Sequence, residues 1–271
     1  MILSSIDVDD IEYRHMLDER PDPASFHLHT HEDAELYCFL SGRGVYHVEG
    51  TAYALSPGDL LLMRPTEGHY IEISPDAPYE RVCINFPPDL FRTLDGDSSL
   101  GAPFFDRKPG LMNRYPKNLL PPSFPELCFS RIEASHDPLM LKAYLFVLLG
   151  EVASAFRSGT VSREASDVST EYRIIRYIND HLERRITIRS LSERYYLSPS
   201  QLDRRFKKAT GTTIADYINT KRMLRARKLL MEGRRASDVA SLVGFSDYSA
   251  FFRAYRKAFG TGPRESVGDR D

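Results

Sequence analysis

Leu191–Gly211 reads LSERYYLSPSQLDRRFKKATG, and Val239–Gly260 reads VASLVGFSDYSAFFRAYRKAFG. With Arg204 placed over Arg253, Leu202 meets Phe251, Phe206 meets Tyr255, Lys207 meets Arg256 and Gly211 meets Gly260. Each copy reads as a short helix, a tight turn and a second helix carrying basic residues, which is a helix-turn-helix. Two such units in one chain predict an all-α domain whose second helices enter two successive major grooves. Sequence-specific binding of double-stranded DNA is the expected outcome.

The local signals support this. In the first copy Leu191–Tyr195 forms the short helix, Ser198 caps the next one and Pro199 suits its first position. Leu202, Phe206 and Ala209 recur at helical spacing and are expected in the core. Ser200, Asp203, Arg204 and Lys207 then share the opposite face, the one a recognition helix presents to DNA. The second copy has one extra residue in its turn, and Gly244 falls where the turn needs a positive φ. Phe251, Tyr255 and Phe259 are expected inside, with Ser249, Phe252, Arg253 and Arg256 outside. Phe252 suits either a thymine methyl or packing on a neighbouring helix.

Ile214–Met231, with Tyr217, Arg222, Ala226, Leu229 and Leu230, reads as one continuous connector helix. Such a rod holds two recognition helices at a set separation, which should match one DNA turn of roughly 34 Å. Arg204 and Arg253 suit bidentate contact with guanine. Lys207, Lys208, Arg256 and Lys257 suit phosphate, which positions a protein without reading sequence.

Charge divides the chain in the same place. Residues 171–265 carry 21 Lys and Arg against 10 Asp and Glu, whereas residues 1–170 carry 14 against 26. The formal net charge of -2 therefore averages an acidic half and a basic half, and only the basic half should be drawn to phosphate. Cys38, Cys83 and Cys128 lie far apart, as expected for reduced thiols in a cytoplasmic protein. No apolar run reads as long enough to span a bilayer, so no membrane partner is expected.

Residues 1–88 read as β. Polarity alternates over Phe26–His31, Glu35–Leu40, Val45–Val48, Tyr53–Leu55, Leu60–Met63, His69–Ile73 and Arg81–Phe86, with turn signals between them. That rhythm predicts a barrel or sandwich. Residues 87–125 are rich in Pro and Gly, and their length suggests a segment covering a pocket. Asp137 and Pro138 open a helix running to about Arg157, with Leu141, Tyr144, Leu145, Leu148, Val152 and Phe156 on one face. It is apolar nearly all round, which suits packing on the barrel, a homodimer interface, or both. Ser158–Thr170 reads as a linker. The fold class is therefore α+β in two domains: a β-barrel with a helical segment over 1–160, a linker over 161–170, and a helical domain over 171–266.

His27, His29 and His31 alternate and so share one face of a predicted strand. Glu35 and His69 are the other polar groups of interest in this half. No GxSxG and no phosphate-binding loop is present.

The segment 171–265 resembles the DNA-binding domain of the AraC/XylS family of bacterial transcriptional regulators. The likeness rests on LSPSQLDRRFKKATG, on Tyr217, Arg222, Ala226 and the Leu229-Leu230 pair, and on VASLVGFSDYSAFFRAYRKAFGTGP ending at Pro263. It departs at Ser192, where the family usually has Ala, at Tyr255-Arg256, which replace Phe-Lys, and after Pro263, where Tyr-Arg is missing. Asp203 is acidic where members often place a base reader, and there it could accept from cytosine.

His29-Thr30-His31 followed by Glu35 and Gly42 resembles a first cupin motif, and Gly58-Asp59 followed by Pro65–His69 resembles a loosened second one. The resemblance implies a cupin-like effector-sensing domain. His27, His29, His31, Glu35 and His69 would line its pocket, and the effector would be a small molecule such as a sugar or related metabolite. In metal cupins the corresponding ligands, His29, His31, Glu35 and His69, would hold a divalent metal cofactor. Family membership further implies a homodimer, no enzymatic activity, and RNA polymerase as a partner of an activator. Two rivals stand beside this reading: a metal-dependent cupin enzyme fused to a DNA-binding module, and a regulator whose barrel is ligand-free.

Overall fold

The computed structural model describes residues 1–91, 99–161 and 170–265. The expected linker, 161–170, lies almost wholly outside them. The chain divides into two compact units, Met1–Val168 and Ser169–Asp271.

The first unit is built on two antiparallel sheets. The larger has the strand order β1 (Ile2–Val8), β2 (Ile11–Asp18), β8 (Tyr79–Phe86), β3 (Ala34–Ser41), β6 (Asp59–Met63) and β9 (Arg114–Tyr115). The smaller runs β5 (Thr51–Ala54), β4 (Gly44–Val48), β7 (His69–Ile73). The central strand β3 is buried on both faces, so its sequence is almost continuously apolar. Tyr37 and Phe39 join Tyr46, Val48, Ile71 and Tyr79 in the core between the sheets. Ala34, Leu36 and Cys38 point the other way, into a core shared with the helices.

Those helices are α2 (Phe124–Ser135) and α3 (Pro138–Arg157), preceded by the short α1 (Ala102–Phe105). Asp137 caps α3 through Leu139 N–H at 2.8 Å, with Pro138 in the first turn, as its sequence predicts. By length and composition α3 is apolar enough to cross a membrane, which corrects the expectation that no run is. Its Leu141, Leu145, Leu148, Leu149 and Val152 are fully buried with Phe129 and Ile132 of α2. Leu139, Phe146 and Val147 stay exposed.

Three other expectations need correction. The strands β1 and β2 escaped the reading, because β1 is an edge strand with only Ile6 buried and so shows little period-two contrast. Phe26–His31 is not a strand. A 3-10 turn at Pro23–Ser25 precedes it, and its backbone pairs with a strand through a single bridge between His29 and His69. Residues 99–125 do not cover the cavity described below. They carry α1, β9 and the start of α2, and they are clamped to the β6–β7 turn by a buried ion pair.

The second unit comprises α4 (Thr170–Asp180), α5 (Ile188–Tyr195), α6 (Pro199–Thr210), α7 (Ile214–Met231), α8 (Ala236–Leu242) and α9 (Tyr248–Phe259). Thr187 and Ser198 each form a reciprocal capping box, with Ser190 and Gln201. Asp247 caps α9 by accepting from Ser249 and Ala250 N–H. Leu202 and Phe206 are fully buried, but Thr210 rather than Ala209 completes the inner face of α6. Around the second copy, Met223, Ala226 and Leu230 of α7 pack with Val239, Val243, Phe251 and Tyr255, and Phe259 is only partly buried.

Gly244 has φ +82°, as the turn requires, and an added Cβ would lie 2.6 Å from Leu182 O and 2.5 Å from Arg222 Nη2. The Arg222 side chain is held there by Leu182 O at 3.1 Å and Arg184 O at 2.7 Å. Gly244→Ala should therefore destabilise the helical unit by about 1–3 kcal/mol, from the left-handed backbone together with the clash. Thermal unfolding of the variant checks this, and an unchanged transition would contradict it.

Candidate nucleic-acid interface and effector cavity

In α6 the inward stripe is Leu202, Phe206 and Thr210, so the residues between must face out. Ser200, Arg204, Lys207 and Lys208 are all exposed. Arg205, on the flank, is tied to Glu171 of α4 at 2.6 Å. Asp203 is half-buried, and its carboxylate accepts the Ile214 N–H at 3.2 Å. That bond spends the side chain on the first turn of α7 and corrects the expectation that it reads a base.

The second copy presents Ser249, Arg253, Arg256 and Lys257 to solvent from α9. Phe252 is half-buried, and its ring lies against Gly262, where an added Cβ would be 3.2 Å from Cε2. Of its two readings, packing is the one this contact favours. The connector α7 has 18 residues, so it is about 27 Å long. Its buried Ile214, Tyr217 and Ile218 serve the first copy's end, and Met223, Ala226 and Leu230 serve the second's. Phe206 packs edge-on against Tyr217, with ring centroids 5.7 Å apart. One rod therefore carries both units, each with its basic helix outward.

In the barrel unit a cavity of about 210 Å³ opens on the inter-sheet face. His27, His29 and Glu35 line it, whereas His31 and His69 stand behind Glu35 and not in the lining. Its other walls include Phe26, Tyr37, Tyr46, Tyr70, Tyr79 and Arg81, with Cys83 of β8. Sequence reading missed these residues. Tyr37 lies two positions after Glu35 on β3 and pairs in register with Cys83 of β8, so period two was the available signal.

Arg81 is paired with Asp18 at 2.7 Å and lies over the Tyr79 ring, 4.3 Å from its centroid. Tyr37 and Tyr79 share a hydrogen bond between their hydroxyls at 2.9 Å. Burial pushes the hydroxyls of Tyr37 and Tyr46 well above the ordinary tyrosine range, so both are neutral. Rings with hydroxyl tips, one cation and a few imidazoles make a site for a small polar molecule with apolar faces.

Behind Glu35, the ring centroids of His29 and His69 are 4.3 Å apart, and those of His31 and His69 are 5.0 Å apart. Glu35 Oε2 lies 3.0 Å from His31 Nε2 and 3.2 Å from His69 Nε2. Burial alone raises the Glu35 carboxyl pKa, but hydrogen bonding to His31 and His69 outweighs it and holds the group ionised, far below the usual carboxylate range. Burial lowers the pKa of His29, helped by His69. His31 is raised, because its bond to Glu35 overcomes the burial penalty. His47, the remaining histidine of this half between residues 27 and 69, stacks on Tyr70 at 4.6 Å and does not line the cavity.

Comparison with known proteins agrees with both halves. Residues 16–149 match the AraC-like ligand binding domain and residues 191–267 match a helix-turn-helix domain. The chain is 28% identical over 230 residues to the uncharacterized HTH-type transcriptional regulator YbfI of Bacillus subtilis, covering 83% of this chain and 80% of that one. It is 23% identical over 257 residues to the HTH-type transcriptional activator RhaS of Escherichia coli, covering 94% and 92%. Among solved structures, the C-terminal domain of the two-component response regulator yesN from Fusobacterium nucleatum is 30% identical. That match covers 35% of this chain and 94% of that one, with a TM-score of 0.34.

Proposed function

The chain belongs to the AraC/XylS family, a transcriptional regulator with a ligand-binding domain and a helix-turn-helix domain for double-stranded DNA, and we propose from this how its residues divide the work. Arg204 and Arg253 read bases, and Ser200 and Ser249 sit beside them on the outward faces. Lys207, Lys208, Arg256 and Lys257 grip phosphate. A small sugar-class effector occupies the cavity beside His27, His29 and Glu35. Two copies pair through the exposed Leu139, Phe146 and Val147 of α3, and activation proceeds by contact with RNA polymerase. The chain is not an enzyme.

One observation carries the reading: two capped helices, each with a buried inner stripe and an exposed basic face, set on one continuous rod. The cavity supports the effector class, since tyrosine rings suit the C–H faces of a sugar and its hydroxyls suit imidazole, carboxylate and guanidinium. An effector acts only through different affinity for two arrangements of the DNA-bound dimer.

Selection of the full chain against random duplexes tests the DNA reading. The expected product is a site with two conserved blocks about 10 bp apart per protomer. Sedimentation should give twice the 31.0 kDa chain mass. A thermal-shift series of pentoses and hexoses should show one that raises the melting temperature. Enrichment of no motif would overturn the assignment of base readers.

A further inference from the structure

Arg81 is the permanent cation of the cavity lining, and most of its hydrogen-bonding capacity is unspent. Its side chain is only 14% exposed. A guanidinium is a flat fork of several N–H donors. Among the described residues Arg81 uses one nitrogen of that fork, donating from Nη1 to Asp18 Oδ2 at 2.7 Å. Asp18 belongs to β2 and is not part of the lining. Two rings hold the fork as well, since its Cζ lies 4.3 Å from the Tyr79 centroid and 5.4 Å from that of Phe26. Nε and Nη2 have no acceptor among the described residues, and donors left unmade in a mostly buried place are costly. A fixed fork with free donors matches a planar anion with two oxygens, which is a carboxylate.

The sheet register gives the cavity a direction. On one face of the β3–β8 pair, Glu35 lies opposite Asn85, Tyr37 opposite Cys83 and Phe39 opposite Arg81. Glu35 and Arg81 therefore stand two rows apart, about 13 Å along the strands, with the Tyr37–Cys83 row between them. Burial raises the pKa of the Tyr46 hydroxyl and the Cys83 thiol, Glu35 raises both further, and Arg81 works against it. The groups in the middle thus sense an anion from one end and a cation from the other. His31 and His69 both engage Glu35 Oε2, so Oε1 remains to accept a ligand hydroxyl. A phosphate ester would bring nearly a second negative charge into a cavity that already holds Glu35, whereas a carboxylate brings one. At about 210 Å³ the space is smaller than the roughly 300–1,000 Å³ of drug-sized pockets, which limits the ligand to a single ring or its open-chain equivalent.

We propose that the effector is a sugar acid, its carboxylate received by the free side of the Arg81 fork and its hydroxyls by Glu35 at the other end of the cavity. Arg81 is then the residue that sets specificity, choosing the acid over its neutral parent sugar, while the tyrosine rings bind both alike. Asp18 is a positioning residue that holds the fork from behind. This rests on the sugar-class reading above and narrows it.

The test measures affinities of the full-length chain by titration calorimetry for matched sets: a hexose, its uronic acid, the uronamide and the hexose phosphate. The acid should bind at least about tenfold tighter than the hexose and the uronamide, the gain of a charge-assisted hydrogen bond over a neutral one. Arg81→Gln should bring that ratio close to one, and Arg81→Lys, which keeps the charge but loses the fork, should retain only part of it. Asp18→Asn removes the Asp18–Arg81 ion pair and leaves the fork, so the preference for the acid should survive. The ratio within each variant is the readout, so a general loss of stability cannot imitate the effect. A hexose that binds as well as its acid would overturn the carboxylate site and leave the sugar reading intact. A phosphate ester that binds tighter than the acid would overturn the choice of carboxylate. An acid preference unchanged in Arg81→Gln would remove Arg81 from the role. Simple hydroxy acids form the last arm. If lactate or glycerate binds in an Arg81-dependent way and no sugar or sugar acid does, the sugar reading fails and the fork remains a carboxylate site. Binding by none of these compounds would overturn both.

Discussion

Glu67→Gln should lower the stability of the barrel unit by about 3–5 kcal/mol, the cost of leaving a buried cation without its partner. The Glu67 carboxylate receives Arg107 in bidentate fashion, with Nη1 on Oε1 at 2.6 Å and Nη2 on Oε2 at 2.7 Å. Both side chains are almost fully buried, at 0% and 1% exposure, so no water can replace the lost charge. Gly110 N–H, Asn113 Nδ2 and Arg64 N–H complete the carboxylate's shell at 2.9, 3.2 and 3.0 Å. A neutral amide would keep the shape but would turn an NH₂ group toward one of these donors. For a unit of this size the melting temperature should fall by roughly 6–20 °C.

Glu67→Gln combined with Arg107→Met should recover much of that loss, because removing both charges removes the desolvation penalty along with the attraction. The pH dependence has a definite sign. Burial pushes the Glu67 carboxyl up, but Arg107 outweighs it and holds the pKa at about 2, below the ordinary 4.5. Its contribution is therefore present above about pH 4.5 and is lost as pH falls toward 2. The gap between wild type and Glu67→Gln should narrow over that window in urea melts. A gap that stays constant would show that the destabilisation is steric.

The helical half was legible because its signals are local. Caps at Ser198 and Asp247, the stripe Leu202–Phe206 and the glycine at 244 all lie within one or two turns of what they control. The barrel's cavity was not, since its walls come from strands far apart in sequence. Tyr37 faces Tyr46 at 4.7 Å only once β3 and β4 are in different sheets, and Arg81 meets Asp18 only through the β2–β8 pairing. Burial of β3 on both faces also hides which of its residues point into the cavity. The alternation at His27, His29 and His31 imitated a strand. What brings His29 to His69 is instead one bridge, with paired backbone hydrogen bonds of 3.1 and 3.0 Å. Asp203 was misread for a related reason, because its partner is the backbone of the following helix and leaves no trace in side-chain pattern.

Arg204→Ala with Arg253→Ala should weaken binding to the selected site by about 2–6 kcal/mol, centred near a thousandfold, while binding to random duplex falls far less. Each arginine alone should cost about 1–3 kcal/mol and relax preference at its own position. The two losses should add, because α6 and α9 belong to separate helix-turn-helix units with separate buried stripes. Non-specific binding sets a floor below which the double variant cannot fall, since the phosphate-facing lysines remain. Lys207→Ala gives the opposite signature. It should weaken specific and random duplexes alike and reduce the slope of log K against log salt by about one. Measuring both variants across a salt series separates the roles without reference to any effector. Equal losses on cognate and random DNA for the arginine variants would assign Arg204 and Arg253 to phosphate, and base reading would then fall to Ser200, Ser249 and the DNA's own shape.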